Sequence, residues 1–126
     1  RYPERASAVA RTAIERSDVI SFHSYVGAEA LGRTIDGLER HGRPLLCTEW
    51  MGRPTSPVAL AELFRDRGVG AFCWGLVDGR SQTRYPWTSW YRRTPPDAPW
   101  FHDLLHADGA PYDADEVALL QRISPR

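Results

Sequence analysis

The chain has 126 residues, 42% of them hydrophobic, with 16 basic residues and 16 acids for a formal net charge of zero. That size suits one soluble domain, and acids interspersed among basic residues that are all arginine argue against a nucleic-acid surface. No apolar run is long enough to span a bilayer, so neither a nucleic acid nor a membrane is expected as partner.

The sequence opens at Arg1-Tyr2-Pro3 and passes at once into a helix-like segment. It reads as a piece of a longer polypeptide, which leaves localisation open. Val9, Ala10, Ala13 and Ile14 recur at helical spacing within residues 5–16. Residues 18–25 follow as a strand with Ser21, His23 and Tyr25 on one face and Ile20 and Phe22 on the other. Residues 28–41 set Leu31, Ile35 and Leu38 on one helical stripe, and Gly42 stops the helix.

The run from Pro44 to Met51 reads as a parallel strand covered on both faces that ends abruptly in Glu49 and Trp50. Strict alternation puts Leu45, Cys47 and Glu49 on one face and Leu46, Thr48 and Trp50 on the other. A carboxylate at the end of such a run needs a wet, hydrogen-bonded setting, which a ligand site or a structural ion pair supplies equally well. Ser56-Pro57 has the form of an N-cap and first helical residue, with Leu60, Leu63 and Phe64 inward and Gly68 closing. Residues 70–75 read as a third strand, with Gly70, Phe72 and Trp74 on one face and Ala71 and Cys73 on the other.

Residues 76–100 form a long loop rich in aromatics, a length usually tied to function. A helix near 99–105, a turn at Asp108-Gly109 and a last helix from Asp113 complete the chain. In that last helix Asp113 and Glu116 have capping-box spacing, and Val117, Leu120 and Ile123 face inward. Cys47 and Cys73 lack metal-ligand or CxxC spacing and read as small buried hydrophobes. His102 and His106 stand at i, i+4, but no Glu follows the first, so they read as helix-surface residues and no metal is expected.

The order of elements is α-β-α-β-α-β, which suits parallel strands joined by right-handed crossovers. Three strands leave two bare edges and a bare face, a shortage relieved by further strands in a doubly wound sheet or a closed barrel. Alternation lets the three strands aim His23 and Tyr25, then Glu49, then Trp74 at one rim, as a barrel active site does. No glycine-rich phosphate loop opens any helix, so no dinucleotide cofactor is expected.

In this order, His23-Ser24-Tyr25, Thr48-Glu49-Trp50 and Trp74-Gly75 resemble the last three βα units of a clan A retaining glycoside hydrolase of the family 5 cellulase-like and mannanase-like kind. Trp100-Phe-His-Asp-Leu and Asp108-Gly-Ala-Pro-Tyr-Asp113 are similar to the closing region of bacterial cellulase-like members. The resemblance implies an α/β fold, the C-terminal portion of a (β/α)8 TIM barrel comprising about strands 6 to 8 with their helices. Residues 1–126 would then be one partial domain. It also implies retaining hydrolysis of β-linked oligo- or polysaccharides, with Glu49 as nucleophile, Tyr25 orienting it, His23 touching the sugar and Trp74 stacking beneath it.

Beyond the third strand, Trp87, Trp90 and Tyr91 offer further stacking surfaces, and Asp78 and Gln82 are candidates to touch sugar hydroxyls, although both read more readily as loop hydrogen-bonding groups. A loop packed by its own aromatics is the structural alternative, as is a hydrogen-bonded core pair for His23 and Tyr25 and ordinary barrel filling for Trp74. One departure is large. The clan's acid/base is a Glu following Asn, and this chain has no Asn; its remaining glutamates, Glu4, Glu15, Glu29, Glu39, Glu62 and Glu116, fall on predicted helices or their starts. The acid/base is therefore expected outside these residues, and the chain by itself is expected to be inactive or feeble. Two other classes compete: a non-catalytic carbohydrate-binding barrel domain, and a doubly wound hydrolase, which the lack of a Gly-x-Ser-x-Gly elbow argues against.

Overall fold

A computed structural model describes residues 7–124, so Glu4 and the first residues of the segment from 5 to 16 lie outside the described residues. Helix α1 (Ala8–Arg16) starts where Ser7 accepts a hydrogen bond from the Ala10 amide, the usual service of a serine N-cap. Strand β1 (Ile20–Ser24) follows, then helix α2 (Ala28–Glu39), strand β2 (Leu45–Trp50), helix α3 (Leu60–Asp66), strand β3 (Gly70–Cys73) and, after a long connection, helix α4 (Ala114–Ile123). The three strands form one parallel sheet in the order β1-β2-β3, each joined to the next by a helical crossover. The expectation of an alternating α/β chain with a parallel sheet therefore holds.

One face of this sheet carries the core. Ile20 and Phe22 of β1 and Leu45, Cys47 and Trp50 of β2 are buried under Leu31, Ile35 and Leu38 of α2 and Leu60, Ala61 and Phe64 of α3. The Trp50 and Phe64 rings meet edge to face at 5.1 Å between centroids. Arg43 ties α1 to the start of β2, its guanidinium donating to the carbonyls of Ile14, Glu15 and Ser17. The other face is open: Ser21 and His23 are exposed, and Phe72 is 61% exposed. Both strand edges are unpaired among the described residues.

Strict alternation fails in β2, and the failure matters. Phe22 pairs with Cys47 but His23 pairs with Glu49, so Thr48 is the extra residue of a β-bulge. Cys47 stays on the core face opposite Phe22, while Glu49 joins His23 on the open face and Trp50, paired with Ser24, returns to the core. The expected grouping of Glu49 with Leu45 and Cys47, and of Trp50 with Leu46 and Thr48, is corrected by this one-residue slip. A bulge re-aims side chains in just this way, because a shift of one residue inverts a period of two.

Three local expectations also change. Ser56 does not cap a helix: its backbone pairs with Gly52 in a tight antiparallel bridge and its side chain is buried, so regular α3 begins only at Leu60. Residues 99–105 are not a helix, because Leu105 is drawn into bridges with Val77 and Pro111 and the Leu104 and Leu105 amides donate to the Leu76 carbonyl. Asp113 caps α4 by accepting from the Asp115 and Glu116 amides, but Glu116 does not reach back to complete a box; it pairs with Arg53 instead.

Candidate functional site

At the C-terminal ends of the strands lies a cleft of about 670 Å³, bounded by Tyr25, Glu49 and Trp74 from the three strand ends and by Gln82, Trp87, Trp90 and His102, among others, from the segments that follow. Of the nine residues singled out in the sequence, Tyr25, Glu49, Trp74, Gln82, Trp87 and Trp90 share this cavity, whereas Asp78 and Tyr91 do not line it. The ninth, His23, stands beside it, its Nδ1 2.9 Å from Glu49 Oε2. The parallel register explains the convergence: strands running in one direction deliver their ends to one side, and the bulge at Thr48 turns Glu49 toward that side.

Glu49 brings a carboxylate into the cleft. Its side chain keeps 20% of its surface exposed, enough to receive a ligand while one oxygen is held by His23. Tyr25 approaches from β1 with its hydroxyl buried and without a hydrogen bond of ordinary geometry. Its pKa is raised, first by burial and then by the nearby Glu49 charge, so the phenol stays protonated and keeps a proton to donate. Among the described residues Glu49 is the only carboxylate lining the cleft. Asp78 lies 3.4 Å from the Arg84 guanidinium and serves the loop. No group of three or more metal-ligating side chains occurs among the described residues.

The aromatic wall divides into two parts. Trp87 is packed from below, edge to face with Tyr25 at 4.7 Å and with Phe101 at 5.2 Å between centroids. Trp90, one 3-10 turn later in Trp87–Trp90, is 82% exposed yet borders the cleft, and Tyr91 is exposed outside it. Trp74 is part-exposed at the end of the third strand, its amide donating to the Trp50 carbonyl. Ser81, Gln82, Thr83, Ser89 and Thr94 line the cleft together with the rings. Gln82 adopts φ 56°, in the left-handed region, and lines the cleft.

The loop is anchored from behind. Thr83 Oγ1 donates to buried Asp103 at 2.6 Å, and the Phe101 amide donates to the Arg84 carbonyl. Arg53 donates to the carbonyls of His102 and Asp103 and pairs with Glu116, tying the end of β2 to residues 100–103 and α4. Residue 102 is the main one missed in the sequence. Read as a helix-surface histidine, His102 is 1% exposed and borders the cleft, because the segment carrying it is not a helix. Its aromatic neighbours Trp100 and Phe101 were the signal for burial.

No family model, no curated protein and no solved structure matches this chain.

Proposed function

We propose that this chain is the nucleophile-bearing, C-terminal part of a (β/α)8 retaining β-glycoside hydrolase, with Glu49 attacking the anomeric carbon. One observation carries the reading: the bulge at Thr48 aims a single part-exposed carboxylate into a cleft walled by tryptophans and lined with neutral hydrogen-bonding groups. Flat rings with hydroxyl and amide groups between them suit a pyranose, whose faces are apolar and whose rim is polar. The open face of the sheet, with Phe72 uncovered, supports further barrel strands as its complement.

In the mechanism, a Glu49 oxygen forms a bond to the anomeric carbon as the bond to the leaving oxygen breaks. His23 holds the other oxygen, and Tyr25, kept protonated, faces the carboxylate. Trp74 supports the ring at the point of cleavage. The acid that protonates a sugar leaving group is assigned to a part of the protein beyond these residues. A C2-fluorinated β-glucosyl or β-mannosyl fluoride needs no such acid, because fluoride leaves unprotonated and the C2 fluorine slows the second step. Such reagents should label the chain once, at Glu49, as read by mass spectrometry of the peptide, and Glu49→Gln should not label.

A carbohydrate-binding domain without chemistry is the second reading, favoured by the single carboxylate in the cleft. Oligosaccharide binding without labelling by either fluoride would select it over the hydrolase.

A further inference from the structure

His102 has no role in the proposed chemistry, yet it contacts Met51, Tyr25 and Trp87 beside Glu49. Its Nδ1 lies 2.6 Å from the Met51 carbonyl oxygen, and an N–H there donates to that oxygen. Met51 follows Glu49 by two residues, is fully buried and has φ 77°, a left-handed conformation that a side-chain-bearing residue keeps only where its surroundings impose it. The backbone beyond it is tied down as well, Gly52 donating to Ser56 and Arg53 to Phe101. The ring of His102 also lies 5.6 Å, centroid to centroid, from both Tyr25 and Trp87, the two rings that wall the cleft beside Glu49.

The second nitrogen supplies the argument from cost. With Nδ1 carrying the proton, Nε2 is a bare acceptor, and it is buried without a partner. An apolar ring of the same size would fill the space without burying an unsatisfied ring nitrogen. What an apolar ring cannot do is donate to the Met51 carbonyl, and that donor is what the site retains at the expense of Nε2. Burial also holds the pKa of His102 below its ordinary value, which keeps the ring neutral.

We infer that His102 is a positioning residue: by donating from Nδ1 to the Met51 carbonyl, it sets the direction in which Glu49 enters the cleft. The inference rests on the reading of Glu49 as the reacting group. Substitution by Asn separates the roles, because its amide nitrogen occupies the place of Nδ1, whereas Gln carries its donor one carbon further out and Leu carries none. The test is labelling kinetics with the C2-fluorinated β-glycosyl fluorides on the wild-type chain and on His102→Asn, His102→Gln and His102→Leu. The same samples, labelled with carbon-13, report the Glu49 carboxyl resonance at pH 7.

His102→Asn should trap within about threefold of the wild-type rate. His102→Gln and His102→Leu should be slower by about tenfold or more in the first-order step, with half-saturating reagent concentration unchanged. The Glu49 resonance should move in the Gln and Leu variants and stay in place in the Asn variant. If the Leu variant does not fold, the Asn and Gln pair decides. Wild-type rates in Gln, or an Asn variant as slow as Gln, would overturn the inference. If the unmodified chain is not labelled at all, the hydrolase reading falls and the resonance alone decides: movement in Gln but not in Asn upholds the positioning role, and equal spectra reject it.

Discussion

Gly75 offers a measurable test of how tightly the closing segment is packed behind the cleft. It adopts φ 86°, and a Cβ built there would lie 2.7 Å from Asp103 Oδ1, 2.9 Å from His102 Cβ and 3.1 Å from the Asp103 amide nitrogen. Gly109 adopts nearly the same angle, φ 87°, but a Cβ there meets nothing within 4 Å. Both Ala variants therefore bear the left-handed penalty of about 1 to 2 kcal/mol. Gly75→Ala alone must also displace a buried segment that the Thr83–Asp103 and His102–Met51 hydrogen bonds and the Arg53 clasp hold in place, adding about 1 to 3 kcal/mol. The expected losses are about 2 to 5 kcal/mol for Gly75→Ala and about 1 to 2 kcal/mol for Gly109→Ala. Urea unfolding followed by tryptophan fluorescence should separate the two midpoints by about 1 M. Equal midpoints would refute the claim that residues 102 and 103 are rigidly seated against the third strand.

Arg53→Met should cost about 3 to 5 kcal/mol, because it strands Glu116 and leaves the carbonyls of residues 102 and 103 without their donor, whereas Arg65→Met, which breaks an exposed pair with Asp66, should cost under about 1 kcal/mol in the same urea titration. Trp87→Ala should lose about 2 to 3 kcal/mol, below the value for a wholly buried tryptophan, while Trp90→Ala should stay within about 0.5 kcal/mol of wild type and weaken cello- or manno-oligosaccharide binding by calorimetry. At alkaline pH the thiols of Cys47 and Cys73, pushed up to about 11 by burial, ionise later in the folded than in the unfolded chain, so their stabilisation is complete below about 9 and lost as pH rises toward 11; urea midpoints at pH 8 and 10 check this. His102 acts at the other end: its lowered pKa means that the unfolded chain takes up the proton first, so stability present above about pH 6.5 falls on acidification, and His102→Asn should flatten the melting-temperature profile between about pH 7.5 and 5.5.

Much of the framework is written in local pattern. Leu31, Ile35 and Leu38 at helical spacing, the apolar runs around Phe22 and Leu45, and the left-handed Gly42 and Gly68 after their helices specify where helices and strands form, because periodicity and backbone sterics act within a few residues. The order of those elements also determines a parallel sheet, and with it the meeting of Tyr25, Glu49 and Trp74 at one end. Pattern does not extend to features whose cause is a distant partner. Thr48 became a bulge because β1 and β3 set the register of β2, and that slip, not alternation, decides the face from which Glu49 emerges. Ser56 looked like a helix cap but answers to Gly52, and residues 99–105 looked helical but answer to Leu76, Val77 and Pro111. His102 is the sharpest case: its spacing from His106 suggested a surface, and only the packing of residues 100–105 beneath the cleft makes it the buried donor to Met51, since hydrogen bonds across 51 positions leave no trace in local periodicity.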